Sequence, residues 1–463
     1  MATRYVNVDR ETPLLLPIDL REWVRQDDPV HFILGAVNQV DVSAFASNVR
    51  GTGDAQYPPR MMLALLIYCY SHGIFGSRRI ERATYEHLSV RYLAGDTHPD
   101  HDTLCKFRRE NFAAVGACFL RVLELARELK LLQVGTVAID GTRLRANASK
   151  HQNITYARAG EVRALLQADI AELLAQAERA DLAPEVRETL PAELQRREKL
   201  EAKLAQAQAR LEAQARQEAE VQRPAYEAQV AARAARSGRG RPPKPPRTEP
   251  EPTAQSNLID AESRLMRRSR NEAYEQCYNA QAAVCAEGSQ LIVGVRVSQC
   301  AADSHELEPT LAAIDPKVGT PKRVLVDSGF RDSASFARVE AQGFDLYAAV
   351  AAEASQARRR YEFRPKDRCR ENPIDFKDPR LLAMKAKLQT EEGRAIYAQR
   401  QTSVEPVFGI IKSALGFRQF TLRGLQKVSG EWQLVALAYN CKRICNLRRP
   451  ARPRTSGRAS LRP

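Results

Sequence analysis

After residue 134 the apolar residues stop recurring at helical spacing and gather into short β-branched runs: VGTVAID at 134–140, AQAAVCAEGSQLIVGVRVSQ at 280–299, RVLVDSGF at 323–330 and FDLYAAVA at 344–351. Runs of this length, bounded by glycine or aspartate, predict strands. Gly288 and Ser289 mark a hairpin turn within the second run, and HELEPTLAAI and SASFARVEAQ supply amphipathic helices between the later runs. The order is strand, hairpin, helix, strand, helix, strand. A mixed sheet flanked by helices, an α/β architecture, is the expected result.

The segments around this core differ in kind. Residues 1–130 read as a helical N-terminal unit, with apolar residues at helical spacing in DLREWV, MMLALLIYCYSHGI and FAAVGACFLRVLELARELKLL. Ser77 is positioned to cap a helix bearing Arg78, Arg79 and Arg82 on one face, and Asp100 or Asp102 to cap one loaded with Lys106, Arg108 and Arg109. A DNA-binding head and a solvated charged face are both consistent with these helices. The sheet unit takes residues 131–155 and 276–446, interrupted by a helical insertion over 156–275. Leu200, Leu204, Ala207 and Leu211 step at seam spacing, so the insertion reads as a helical arm pairing with itself, divided by Pro184, Pro191 and Pro224. A basic Gly/Pro linker, GRGRPPKPPR at 238–247, follows and reads as extended and mobile. Residues 447–463 form a basic tail.

With 71 Lys and Arg against 56 Asp and Glu, the formal charge of +15 favours a polyanionic partner. The longest apolar run, Met61 to Tyr70, is too short to span a bilayer, and MATRYVNVDRETP has no apolar signal region, so a cytoplasmic protein is expected. Nine cysteines lie scattered without CxxC pairs and read as reduced, mostly buried thiols.

Two of the strands deliver acids. Asp140 ends one apolar run beside Arg143 and Arg145, and Asp327 ends another at the turn Asp327-Ser328-Gly329. An aspartate after a strand is commonly a turn former, so neither stands alone. A third acid, Glu405, precedes Pro406, which belongs in the first turn of a helix; Ser403 is then the expected cap, and Lys412 lies two turns on. Three hard oxygen donors suit Mg²⁺ (or Mn²⁺), and divalent ions held by carboxylates can activate a water or 3′-hydroxyl and stabilise a leaving oxygen at phosphorus.

These residues sit in a collinear set of motifs: YPPRMMLALLIYCYSHGIFGSRRIE, PDHDTLCKFR, VAIDGTRLRANAS, YNAQAAV, VLVDSGF, VEPVFGIIK, GFRQFTLRGLQKV and EWQLVALAYN. The set resembles bacterial insertion-sequence DDE transposases with a Tyr-Arg-Glu-Lys signature, here Tyr397, Arg400, Glu405 and Lys412. The resemblance implies a ribonuclease H-like mixed-sheet catalytic domain, metal-dependent cleavage and strand transfer of transposon DNA ends, and metal ligation by Asp140, Asp327 and Glu405. It also implies that Tyr397, Arg400 and Lys412 hold end phosphates. The partners it implies are double-stranded DNA carrying the terminal inverted repeats, a target DNA, and further copies of the chain, with the protein associated with a bacterial nucleoid. The signature departs from its commonest form, since four residues, Gln401 to Val404, separate Arg400 from Glu405; Arg400 is expected just before the helix that bears Glu405.

Other basic segments suit DNA. Arg239-Gly240-Arg241-Pro242 resembles an AT-hook core, in which arginine answers the negative potential of a narrow minor groove, although a plain linker reads equally well. ARRRYEFRPKDRCR from Ala357 and the segment from Lys442 onward, with eight Lys and Arg and no acid, would add phosphate contacts. Trp432, in EWQLVALAYN, reads as helix core rather than a base-stacking residue. A nuclease that cuts without joining, and a DNA-binding relic without catalysis, are the competing readings.

Overall fold

A computed structural model of the chain describes residues 19–46, 56–177, 184–235, 242–267, 272–350 and 378–448. Six helices come first: α1 Pro29–Asn38, α2 Pro59–Ser71, α3 Ser77–Glu86, α4 Leu88–Ala94, α5 His101–Glu110 and α6 Phe112–Glu128. Pro59 opens α2, where a missing amide costs nothing, and Met62 to Ser71 are all buried, so this apolar run is the interior helix of the layer. Asp100 caps α5 as expected, accepting from the amides of Asp102 and Thr103, whereas α3 starts at Ser77 with Gly76 as an uncapped flank.

The sheet contains β1 Thr136–Arg145, β4 Arg264–Met266, β5 Glu275–Cys285, β6 Ile292–Ser298, β7 Arg323–Val326 and β8 Asp345–Ala348. β1 lies inside it, antiparallel to β5 on one side and parallel to β7 on the other, and β8 continues the parallel side. The outer edge of β5 carries β6 along most of its length and β4 near its start. The β5–β6 hairpin turns through Gly288 at φ +89, a conformation that glycine adopts without strain. The short helices α9 Leu307–Leu311 and α10 Ser333–Ala341 make the two crossovers, so the predicted element order holds. After β8 come α11 Pro379–Gln389, α12 Glu391–Gly409, a π-helical turn at Ile410–Ala414, and α13 Leu425–Arg448.

One continuous hydrophobic core runs from Val24 to Ile444, joining the N-terminal helices to the sheet through α13. Trp432 is fully buried there, donating from Nε1 to the carbonyl of Gln281. The insertion has a small core of its own, Ala159, Leu166 and Leu204, where α7 Tyr156–Ala177 packs along α8 Pro184–Ala235. The arm does pair with itself, but Pro191 and Pro224 do not divide it. Both lie inside the 52-residue α8 on its exposed side, where water can serve the carbonyls that proline leaves without a donor. Leu204, Ala207 and Leu211 are buried in the seam, while Leu200 is 38% exposed.

The arm is rooted in a two-stranded ribbon of β2 Asn153–Thr155 and β3 Gln255–Asn257. The linker leading into that ribbon is extended over 242–247, as expected, but it is tied down before β3. Tyr156 and Ala157 donate their amides to the carbonyls of Ala254 and Pro252, and Lys244 to Arg247 border a groove against α8. Cys69, Cys118, Cys277, Cys285 and Cys441 are buried, and Cys300 is exposed. Among the described residues, no helix is long and apolar enough to cross a membrane.

Candidate active site

β1 and β7 run parallel in register, with Ala138 opposite Leu325. Two residues further along each strand stand Asp140 and Asp327, which strand alternation therefore directs to the same face on neighbouring strands. Asp140 does not end its strand, as its sequence suggested. β1 continues through Gly141 to Arg145 because β5 pairs with it over that whole length, so the acid lies mid-strand, 19% exposed in its side chain. Asp327 does follow β7 directly and caps the next turn, its Oδ1 accepting from the amide of Gly329 at 2.8 Å.

Glu405 comes from α12, but not from its first turn. The helix begins at Glu391, capped by the Thr390 hydroxyl, and runs unbroken past Ser403, Glu405 and Pro406. Ser403 is no cap; its hydroxyl donates back to the carbonyl of Gln399. Proline inside a helix normally leaves the carbonyl four residues earlier without its donor. Here that carbonyl, on Thr402, accepts from Nε2 of Gln290 at 2.7 Å, so the hairpin turn supplies what Pro406 withholds. Arg400 is consequently within the same helix as Glu405 rather than before it.

Arg400 draws the acids together. Its Nη1 stands 3.4 Å from Oδ2 of Asp140 and its Nη2 stands 3.0 Å from Oε1 of Glu405, with the residue only 9% exposed. Asp140, Asp327 and Glu405 all act on this guanidinium electrostatically, as does Tyr397, one turn earlier in α12. Burial pushes the Asp140 carboxyl up to about 7, the Asp327 charge adds to that rise, and Arg400 opposes it. Among the described residues, no three acidic, histidine or cysteine side chains stand as a group that could hold a metal ion. Asp140 and Glu405 are instead bridged by the guanidinium.

The remaining expected residues are distributed more widely. Lys412 lies half-buried in the π-turn, where Arg418 donates from Nε to its carbonyl; that wider turn ends the α-helical register assumed between Glu405 and Lys412. Arg143 donates to the carbonyl of Ala301, and Arg145 pairs with Glu275. Arg78, Arg79, Arg82, Lys106 and Arg109 are exposed, but Arg108 is buried and donates to Tyr70 and to the carbonyl of Phe75. Lys442 and Arg443, counted with the basic tail, belong to α13 and donate to the carbonyls of Ser71 and Ser289. Arg239, Arg241, the basic segment from Ala357 and the rest of the tail lie outside the described residues.

A fourth acid was missed. Asp303, between β6 and α9, also raises Asp140, and its carboxylate is held by Asn279 and Gln281 of β5. The available signal was the presence of two amides in a strand otherwise rich in alanine, valine and cysteine.

Residues 18–110 match a family model described as Transposase domain (DUF772), and residues 364–445 match one described as Transposase DDE domain. The second span carries Tyr397, Arg400, Glu405 and Lys412. No curated protein and no solved structure matches the chain. With an α/β sheet that brings two strand-borne aspartates and a helix-borne glutamate around one buried arginine, the two matches support a DDE-type transposase.

Proposed function

We propose that the chain cleaves transposon DNA ends and transfers the freed strand to a target, with Asp140, Asp327 and Glu405 holding Mg²⁺ (or Mn²⁺). The observation that carries this reading is the convergence of the three acids, from β1, β7 and α12, on the Arg400 guanidinium. Three carboxylates around a buried cation form a hard, oxygen-only donor set, which suits magnesium better than a softer metal. Bound there, the ion would activate the attacking water or 3′-hydroxyl and stabilise the leaving oxygen. The sheet order, with β5 antiparallel beside the parallel set β1, β7 and β8, is in keeping with a ribonuclease H-like domain.

Arg400 has two roles in this reading. Without DNA it neutralises Asp140 and Glu405; with an end bound, its fork of donors turns to phosphate, for which guanidinium geometry is suited. Tyr397 and Lys412 hold end phosphates beside it. The exposed Arg78, Arg79 and Arg82 of α3 bind the duplex further out, and Arg239 and Arg241 follow its minor groove. The protein works as an oligomer that brings two ends together.

The test uses duplexes spanning the flanks of the encoding element, with a supercoiled plasmid as target. Asp140→Asn, Asp327→Asn and Glu405→Gln should each abolish magnesium-dependent cleavage while leaving end binding within about twofold, since each swap keeps the side chain's shape and removes its charge. Normal cleavage by any one of them rejects that residue's assignment. Cut ends that never appear joined to the plasmid would make the protein a nuclease.

A further inference from the structure

Asp303 stands outside the Asp140, Asp327 and Glu405 set, yet its carboxylate is firmly held. Its Oδ1 accepts from Nδ2 of Asn279 at 2.7 Å and from Nε2 of Gln281 at 2.6 Å. Both amides belong to β5 and are 1% and 0% exposed. Burying an amide costs free energy unless its polar atoms find partners. The donor sides are used on Asp303, whereas Oδ1 of Asn279 and Oε1 of Gln281 have no hydrogen-bond partner.

Two glycines make room for this carboxylate beside the acids already described. A Cβ at Gly141, next to Asp140, would stand 2.5 Å from Oδ1 of Asp303 and 2.9 Å from the unpartnered Oδ1 of Asn279. A Cβ at Gly329, in the turn that Asp327 caps, would stand 3.0 Å from Oδ1 of Asp327 and 3.4 Å from Oδ2 of Asp303. Asp303 is therefore seated between the backbone beside Asp140 and the turn of Asp327. One oxygen is committed to the amides, and the other faces the Asp327 side. Buried amides that fix a carboxylate from behind, with oxygen atoms left over, are the type of support that orients ligands of an ion.

We propose that Asp303 is a fourth carboxylate of the divalent-cation site, held by Asn279 and Gln281 so that its Oδ2 serves the ion together with Asp327. The inference rests on the assignment of Asp140, Asp327 and Glu405 as a cation site. Asp303→Asn isolates the charge, because the asparagine oxygen can still accept from both amides.

The experiment titrates Mn²⁺ into the full chain without DNA, by calorimetry, alongside a metal-free thermal melt. Asp303→Asn should weaken Mn²⁺ binding about tenfold, the lower end of what loss of an ion-orienting group costs, at an unchanged metal-free Tm. Asp303→Ser should weaken it as much and guards against a folding defect in the first variant. Native-like Mn²⁺ affinity in these variants, with Asp140→Asn and Asp327→Asn defective, overturns the role of Asp303 and leaves the three-acid site standing. Native-like affinity in all four overturns the site itself.

Discussion

Asp140 is the residue on which burial and charge act most directly. Its carboxyl titrates near 7 in the folded, metal-free protein because burial and the Asp327 charge disfavour ionisation, against an ordinary value of 3.8. The sign follows from linkage. The folded state holds the proton more tightly than the unfolded chain, so the contribution to stability is complete below 3.8 and is lost as pH rises through about 7. Asp140→Asn should then raise the metal-free Tm at pH 8 while removing cleavage, with a ceiling of about 4 kcal/mol set by the size of the shift. A variant less stable than the native protein at pH 8 would contradict this. The position of Asp140 on a strand was legible in VGTVAID, because burial there is a local pattern. Its raised pKa was not legible, because Asp327 and Arg400 reach it only through the fold. Asp303 stayed hidden for the same reason: the amides that hold it lie more than twenty residues away.

Among the elements, α12 shows how a local rule yields to a tertiary partner. Proline predicts a helix start, but Gln290 bonds the carbonyl that Pro406 leaves open, and the helix continues. Glu405 thereby shares a helix with Arg400, five residues earlier, and the guanidinium can reach both Glu405 and Asp140. The arm behaves in the opposite manner, since its seam spacing was readable and the structure adds only its continuity. Because the Ala159, Leu166 and Leu204 cluster is separate from the main core, damage to it should remain local. Leu204→Ala should cost the arm about 2–5 kcal/mol, seen as an earlier loss of helical ellipticity on heating, while the main transition keeps its Tm. A matching fall of the main transition would show that the two cores melt together.

At the scale of the whole molecule, the N-terminal helices and the sheet are locked by a buried polar junction. Glu431 of α13 is fully buried and accepts from the Tyr70 hydroxyl at 3.1 Å and from the amides of Thr421 and Leu422 at 2.9 and 3.0 Å; Nη1 of Arg108 stands 4.0 Å away. Glu431→Ala would leave Arg108 as a buried charge without its counter-charge and should lower global stability by about 3–5 kcal/mol. Hydrogen exchange should then quicken together in α2, α13 and the sheet; faster exchange in α13 alone would argue against one cooperative unit. Chain-local information was enough to determine the strand and helix order, the strand-borne acids and the arm, since each depends on periodicity or on a cap within a few residues. Tertiary structure alone decided that Arg108 is core rather than DNA-facing, that Pro406 sits mid-helix, and that Asp303 joins the acids. In each case the deciding partner, Glu431, Gln290 or the Asn279 and Gln281 pair, is distant in sequence, and a buried polar group's position is set by whichever partner satisfies it.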